Sequence, residues 1–551
     1  MKSNRIIALG AALLMGMTTV GAFSACGGTA VKNDGYDATK ANISVATYEG
    51  GVGYAWLEEA ARRFEEKYKD STHFQEGRTG VKISVDKNKH TYNGDKLVSS
   101  SLTKDVYFTE AIDYYAFVNA NKVADITDVV TGSMSAYGES GTIEDKLDSS
   151  FTSFLTAKDG KYYMLPFYDG FYGFIYDVDL FEQEGFYYDQ DGDFLALRDE
   201  SQRKDFEESK ANGPDGEHGT YDDGLPATYE QFIALVEQIA AKSCIPFCYS
   251  GTYNDYVNKA CRSFIADYEG YDRFKMNYTF SGTAELVKEI KADGTLVTEE
   301  MEITPEKGYE LQRQAGKYYA LKMQEELFGS VKYVGGSWNG FDYTVAQSEF
   351  IKSKYTTKRY AMLLEGVWWE NEADPTFIEL ENIRGEKKSD RRFGLLPMPK
   401  VNAEAAGPQT MFSANSSFAF INKNCQNMEL AKEFMRFLHT DAEMSKFSAK
   451  TSISRSLNYK VSEADQEKAT YFGKSMIAMR DQSKVVYPYS SLDMVINNSA
   501  AFTEAVWFLN ASVDGKTHNN PFNAFKDGLA TAEEYFNGLY SYQKEMWSNL
   551  K

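Results

Sequence analysis

The stretch NISVATYEGGVGYAWLEEAARRFEEKYK, residues 42–69, is the part of the chain that indicates the fold. Its first six residues are typical of a short strand, and the apolar residues between 57 and 68 recur at helical spacing. VKISV at 81–85 and DVYF at 105–108 are predicted to be the next two strands. Strands that alternate with a helix form a βαβ unit, so we expect an α/β protein with a parallel sheet.

The loop after the first strand is a favoured ligand position, because ligands bind beyond the carboxyl ends of strands in open α/β sheets. Tyr48 and Glu49 occupy that loop and are predicted to face a ligand. Gly50, Gly51 and Gly53 could allow close backbone approach or could be ordinary turn glycines. The run lacks a complete GxGxxG pattern, which argues against a dinucleotide site.

Length and charge narrow the functional classes. A chain of 551 residues is too long for one core and predicts two or more domains. A net charge of −21 disfavours nucleic acid and anionic lipid headgroups as partners. The 5 histidines form no metal-binding or triad pattern. Four cysteines outside the leader contain no CxxC pair and are interpreted as buried free thiols, with one disulfide as the alternative: Cys244, Cys248, Cys261 and Cys425.

The N-terminus is predicted to be a lipoprotein export signal. Residues 1–25 contain a basic start and an apolar run, and FSAC ends in Cys26, the predicted site of lipid attachment. The alternative is an ordinary signal peptide with a chance cysteine. Residues 26–41 would be a polar tether, so we expect the protein on the outer face of a bacterial cell membrane.

Two acidic loops could bind a metal. DQDGDFLALRDE at 189–200 has acids at positions 1, 3, 5 and 12 of a calcium loop, but Phe194 replaces the glycine of position 6. GPDGEHGTYDDG at 213–224 follows soon after. The alternative is two solvated acidic turns. The predicted ligands of a structural calcium ion are Asp189, Asp191, Asp193, Glu200, Asp215, Asp222 and Asp223.

Seven segments, in order, resemble one family. They are ISVATYEGGVGYAWLEEAARRFEEKY, DVYFTE, MLPFYDGFYGFIYDVDLFEQEGF, LPATYEQFIALVEQI, AMLLEGVWWENEA, FGLLPMP and SFAFINKNCQNMELAKEFMRFL. The chain resembles the extracellular solute-binding proteins (family 1, sugar type) of bacterial ABC transporters, similar in plan to maltose-binding protein. Asp177 and Tyr229 depart from the family pattern, which has Asn and Trp there.

The resemblance implies a two-lobe periplasmic-binding-protein-like fold of type II, with a hinge and a ligand cleft between the lobes. We expect crossings near 169–173 and 412–416. The predicted lobes are 42–168 plus 413–480 for lobe 1, and 169–412 plus 481–551 for lobe 2.

The paired tryptophans of EGVWWENE, residues 365–372, fit this interpretation. An indole offers an apolar face to the C–H groups of a sugar ring, and nearby carboxylates accept its hydroxyl protons. By resemblance Trp368 stacks on the ligand, and Trp369 would point into the core if the stretch is extended. The full set of predicted ligand-binding residues is Tyr48, Glu49, Glu110, Tyr168, Phe171, Tyr172, Tyr249, Trp338 and Trp368. For each of them, the alternative is core packing or a solvated surface position.

The expected function is therefore a non-catalytic, monomeric receptor that captures an oligosaccharide and delivers it to the permease of an ABC transporter. Two alternatives stay open: the same fold with a peptide or polyamine ligand, and a lipid-anchored glycoside hydrolase. The segments 187–224 and 270–330 are interpreted as insertions that either widen the cleft or decorate one lobe.

Overall fold

The computed structural model describes residues 35–47, 51–87, 94–329, 331–414 and 417–550, without the side chain of Asn339. The predicted signal segment 1–25, Cys26, most of the predicted tether, Tyr48 and Glu49 lie outside the described residues. No helix in the described part of the chain is both long and apolar enough to span a membrane.

The first lobe is built on a five-stranded sheet. Its strands, in spatial order, are Val81–Lys87, Ala41–Thr47, Val106–Thr109, Phe418–Ile421 and Met164–Pro166. The first three are parallel, and Phe418–Ile421 runs antiparallel to both its neighbours. The βαβ prediction is confirmed, because the helix Ala55–Lys67 connects the first two strands and buries Leu57 and Phe64. The other helices of the first lobe are Gly94–Leu97, Tyr114–Asn119, Thr127–Val130, Ser149–Leu155, Met428–Leu438, Asp441–Thr451 and Glu463–Gln466.

The second lobe is built on a four-stranded mixed sheet. Its strand order is Phe393–Leu396, Tyr172–Asp177, Tyr360–Gly366 and Ile245–Cys248. The predicted helix at 225–242 runs over Tyr229–Ala241, and the Thr228 side chain caps it by accepting from the Gln231 N–H. Other helices are Val178–Glu184, Arg203–Ser209, Asp255–Thr279, Tyr343–Lys352, Trp369–Glu372 and Asp374–Arg384, and Tyr187–Tyr188 pairs with Phe194–Leu195.

A third hydrophobic cluster belongs to a subdomain appended to the second lobe. The hairpin Gly282–Ile290/Leu296–Ile303, the helix Ala315–Met323 and the C-terminal region contribute to it. The C-terminal region contains the helices Asp493–Asn497, Pro521–Lys526 and Ala532–Trp547 and the hairpin Ala511–Val513/Lys516–His518. The sequence from about 501 to 550 has a helical pattern and predicts a helical tail, but Asp514 and Gly515 both have positive φ and close that hairpin.

Thr304 as N-cap and Pro305 in the first turn predict one helix over 304–328, but the structure divides this segment into three parts. They are a 3₁₀ segment Pro305–Arg313, the α-helix Ala315–Met323 and a π segment Gln324–Phe328. Gln314 separates the first two parts with extended backbone. Its buried side chain accepts from Asn277 Nδ2 and donates to the Arg273 carbonyl, both at 2.9 Å. Tertiary hydrogen bonds therefore override the helical pattern of this segment.

The chain passes from the first sheet to the second between Pro166 and Tyr172 and returns between Phe412 and Phe418. At the crossing, Thr410–Phe412 pairs in parallel with Lys484–Val486. Near position 480 the chain contacts both lobes, and the predicted lobe boundaries stay a prediction. The helix Tyr471–Gln482 packs on Phe393–Leu396 of the second sheet, whereas Tyr487 and Tyr489 pack on Phe151 of the first lobe.

The four cysteines Cys244, Cys248, Cys261 and Cys425 are free thiols in the structure. Cys248 and Cys261 are buried, and the other two are half-buried.

Candidate ligand site between the lobes

Trp368 lies where the two lobes meet. The strand Tyr360–Gly366 ends two residues before it, and the Val367 N–H donates to the Phe171 carbonyl in the crossing segment. From the first lobe, Gly51 approaches the indole so closely that a Cβ on it would lie 1.9 Å from Trp368 Cδ1. Only glycine fits there, which explains one residue of the glycine-rich loop.

Two tyrosines of the crossing segment pack against Trp368 with their rings nearly perpendicular to the indole. Tyr172 is perpendicular to it at 5.0 Å between ring centroids, and Tyr168 lies at 6.4 Å with an interplanar angle of 82°. The indole is 7% exposed, so the lobes close over it in this structure. A ring that stacks on a ligand is expected to be accessible, whereas the structure shows a covered ring at the boundary between the lobes.

Trp369 has a different environment from its neighbour. It is fully buried against Phe350, Phe393 and Phe472, at centroid distances of 5.0 to 6.0 Å. The prediction that residues 368 and 369 form an extended strand is wrong, because Trp368 caps and Trp369 begins the short helix Trp369–Glu372. The two indoles still diverge, since neighbouring residues on a helix point about 100° apart.

Polar groups surround the aromatic cluster of Trp368, Tyr168 and Tyr172. The Tyr168 hydroxyl donates to Glu110 Oε1 at 2.6 Å. Lys259 Nζ donates to the Tyr172 hydroxyl at 3.0 Å and lies 4.6 Å from the centre of its ring. Burial raises the pKa of Tyr172 to about 12, so this phenol stays protonated at neutral pH. The cluster can therefore offer both hydrogen-bond donors and acceptors to a polyhydroxylated ligand.

Glu365 adds a buried carboxyl group to the strand that leads into Trp368. It is 2% exposed, and Gln347 Nε2 donates both to Glu365 Oε1 at 3.3 Å and to Glu372 Oε2 at 3.0 Å. Burial, with repulsion from Glu372, raises the pKa of Glu365 well above its ordinary range. Glu370 has a structural role instead, because its carboxylate accepts from Ser452 Oγ and Thr470 Oγ1.

The remaining predicted ligand residues lie elsewhere. Phe171 is buried beside a small apolar cavity of about 20 Å³ at the crossing, which has room for roughly one water molecule. Tyr249 is fully buried in the second-lobe core against Phe328 and Phe522. Trp338 is half-buried in a 3₁₀ turn, with Lys526 Nζ 4.5 Å from the centre of its ring.

Sequence reasoning missed Lys259 and Gln347 as members of the cluster. Both lie on helices, Asp255–Thr279 and Tyr343–Lys352, in which no local motif distinguishes them from other surface-type residues. Only packing against Tyr172 and Glu365 identifies them.

The acidic loops do not form a cation site that fits the predicted ligands. Asp189 accepts from the backbone N–H groups of Asp191 and Asp193, and Glu200 is paired with Arg203. In the second loop, Asp222 and Asp223 accept hydrogen bonds from neighbouring loop residues, including the Asp215 N–H to Asp222. Throughout the described ranges, no three His, Cys, Asp or Glu side chains are grouped so that they could hold a metal ion. The structural calcium ion therefore stays a prediction from the sequence.

Comparisons with known proteins agree with this architecture. Residues 47–247 match the family model described as bacterial extracellular solute-binding protein. A solved chitin oligosaccharide binding protein is similar at 14% identity with a TM-score of 0.51, covering 92% of this chain and 99% of its own. The cyclic alpha-maltosyl-1,6-maltose binding protein from Arthrobacter globiformis is similar at 13% identity with a TM-score of 0.52, covering 93% and 100%. No curated protein sequence matches the chain.

The similar structures show the fold, and the family model matches a segment that contains the helix Ala55–Lys67, the strands Val81–Lys87 and Val106–Thr109 and the first crossing to the second lobe. The similar structures agree with two α/β sheets joined by crossing segments. The chain therefore has the two-lobe periplasmic-binding-protein-like fold of these solved structures, and its residues 47–247 are similar to bacterial extracellular solute-binding proteins.

Proposed function

We propose that the protein captures a neutral oligosaccharide between its lobes and delivers it to the permease of an ABC transporter. It would do so as a monomer anchored to the outer face of the cell membrane by lipid on Cys26. Binding leaves the sugar chemically unchanged, so the protein acts as a receptor and not as an enzyme.

The observation that carries this proposal is the position of Trp368. Its indole lies between Gly51 of the first lobe and Tyr172 of the second, so a ligand that stacks on it contacts both lobes. The apolar ring suits the C–H face of a sugar, and the surrounding Glu110, Lys259 and Glu365 suit its hydroxyl groups. The two similar solved proteins are named for oligosaccharide ligands, which is the ligand class proposed here.

Delivery to a permease would depend on closure of the two lobes over the ligand. A ligand stabilises the closed form only by the difference between its affinities for the closed and open forms. The contact between Gly51 of the first lobe and Trp368 of the second exists only when the lobes are together. The closed form thus presents the permease with a surface that the open form lacks.

Replacement of Trp368 by alanine tests the proposal. We expect sugar affinity to fall at least about tenfold, since loss of an aromatic stacking contact costs on the order of 1.4 kcal/mol. Isothermal titration with maltohexaose, cellohexaose, xylohexaose and chitohexaose measures the effect. Trp338→Ala is the matched control, because Trp338 is a half-buried indole outside the cluster.

Three results would contradict the proposal. Unchanged affinity in Trp368→Ala would remove the indole from the site. Shorter sugars after incubation with the wild-type protein would indicate a glycoside hydrolase. Binding of spermidine or a peptide, with no binding of any sugar, would assign a different ligand class to the same fold.

A further inference from the structure

A second groove lies on the subdomain that is appended to the second lobe. Its volume is about 630 Å³, within the range of small-molecule sites. All its lining residues come from 268–319 and 401–402, so it is separate from the cluster around Trp368. The side chains that the following argument uses are Tyr268, Glu269, Arg273, Glu285, Thr298 and Tyr319.

A break in one helix shapes this groove. Gly270 has φ 74° and ψ 167° inside the helix Asp255–Thr279, so the two halves of that helix differ in direction around it. Tyr268 and Glu269 come just before the break, and Arg273 just after it. The hairpin Gly282–Ile290/Leu296–Ile303 forms the opposite wall and is anchored by buried Ala284, Leu286 and Val287. The groove is thus part of the folded subdomain and not a surface irregularity.

Tyrosines supply aromatic surface in the groove. The rings of Tyr268 and Tyr319 lie 5.3 Å apart at an interplanar angle of 31°, and Tyr229 lies 6.2 Å from Tyr319. Both lining tyrosines are half-buried, and within the described residues neither hydroxyl makes a hydrogen bond. Leu296 and Val401 extend the apolar surface. Aromatic faces beside unengaged hydroxyls suit an amphipathic, polyhydroxylated ligand.

Three of the four charged side chains that line the groove, Glu269, Arg273 and Glu285, are paired with each other, and the fourth, Asp293, accepts from the Thr295 N–H. Arg273 Nη1 lies 3.3 Å from Glu285 Oε2, and Arg273 Nε lies 3.8 Å from Glu269 Oε2. Glu269 Oε1 accepts from the Gly316 N–H at 2.7 Å, and the Thr298 hydroxyl donates to Glu285 Oε1 at 2.7 Å. An anionic ligand would have to displace a carboxylate from Arg273, whereas the hydroxyl groups of a neutral ligand can add to these carboxylates and to Asp293.

We propose that this groove is a second carbohydrate site that holds a segment of a neutral oligosaccharide. The inference rests on the proposed function for its ligand class, but it uses different residues on a different face of the second lobe. It also gives a role to the 270–330 insertion, which the interlobe site does not use.

The test separates the two sites by mutation. Maltohexaose, cellohexaose, xylohexaose and chitohexaose are titrated by calorimetry into the wild-type protein and Trp368→Ala. The same sugars are then titrated into Trp368→Ala combined with Tyr268→Ala/Tyr319→Ala. A second groove variant, Thr295→Arg, fills the groove from an exposed position without removing a buried ring. Glu289→Arg is its control, because Glu289 is exposed on the same hairpin but does not line the groove.

We expect wild-type protein to bind two molecules of at least one probe and Trp368→Ala to bind one. That remaining binding should weaken at least tenfold with either groove variant and persist with Glu289→Arg. If Trp368→Ala abolishes all binding, the groove proposal is overturned while the proposed function stands. If binding survives Trp368→Ala unchanged and disappears with Thr295→Arg, the groove stands and the interlobe proposal fails. Absence of wild-type binding to all four probes would overturn both.

Discussion

At the scale of single residues, Glu365 is the side chain whose environment differs most from its sequence context. EGVWWENE reads as a polar, acidic stretch, yet Glu365 and Glu370 are each 2% exposed. Glu370 accepts from two hydroxyl groups, whereas Glu365 accepts from the Gly366 N–H and from one amide of Gln347 that it shares with Glu372. A buried carboxyl group in that position holds a proton more tightly than the unfolded chain does.

Glu365→Gln should therefore stabilise the protein in a pH-dependent way. Because the pKa of Glu365 is raised in the folded protein, the protonated side chain contributes its full stabilisation below the unfolded pKa, near 4.3. That stabilisation is lost as the pH rises towards the pKa of the folded state. Glutamine mimics the protonated acid at every pH. We expect the variant to match wild type near pH 4 and to be more stable than wild type at pH 7.5, because only the wild-type side chain must then ionise in a buried position.

Urea unfolding across that pH range measures this difference. Glu381→Gln is the control, because Glu381 is exposed on the nearby helix Asp374–Arg384. A Glu365 variant that is less stable than wild type at pH 7.5 would show that the ionised carboxylate is the stabilising form.

At the scale of elements, the crossing between lobes depends on an ion pair. Asp169 is fully buried, and Arg480 Nε of the helix Tyr471–Gln482 donates to its Oδ2 at 3.2 Å. The Asp169 N–H also donates to the Ser454 carbonyl. The pair connects the first crossing segment to a helix that packs on the second sheet, so it holds elements that are far apart in sequence.

Asp169→Ala should destabilise the protein by about 3–5 kcal/mol, because it leaves the Arg480 charge buried without its partner. Chemical denaturation monitored by tryptophan fluorescence measures the loss. Lys158→Ala removes a pair with Asp493 in which both side chains are more than 70% exposed, and it should leave the unfolding midpoint unchanged. Equal effects of the two variants would refute a special role for the buried pair.

At the scale of the whole molecule, the lobes meet around one indole. Gly51 and Gly366 both lie against Trp368, and a Cβ on Gly366 would be 2.3 Å from its Cζ2. These contacts come from two lobes, so the fit of this ring controls how closely the lobes approach. Closure and ligand recognition thus share the same side chain.

Gly51→Ala should shift the molecule towards an open form, since the added methyl group would overlap the indole. Small-angle X-ray scattering should show a larger radius of gyration for the variant without ligand. The double variant Gly51→Ala/Trp368→Ala is the matched control, because loss of the ring removes the overlap and should restore the wild-type radius. The same radius in all three proteins would disprove this account of closure.

Local patterns determined much of the architecture. The strand–helix–strand pattern of 42–85 predicts the parallel sheet, and the Thr228 cap with its apolar stripe predicts the helix Tyr229–Ala241. These predictions succeed because hydrophobic periodicity and helix capping depend on residues that are close together in the sequence. The hairpin at 511–518 has the same kind of signal, Asp514–Gly515, and could have been predicted from it.

Tertiary structure alone decided the rest. The stretch EGVWWENE by itself does not determine which indole contacts the other lobe. The contacting residue of that lobe, Gly51, is more than 300 residues away in the sequence. The sequence also does not reveal Lys259 and Gln347 beside the cluster, the division of 304–328 by the hydrogen bonds of Gln314, or the pairing that occupies the acidic loops. Each depends on contacts between distant segments, and such contacts leave no periodic trace in the local sequence.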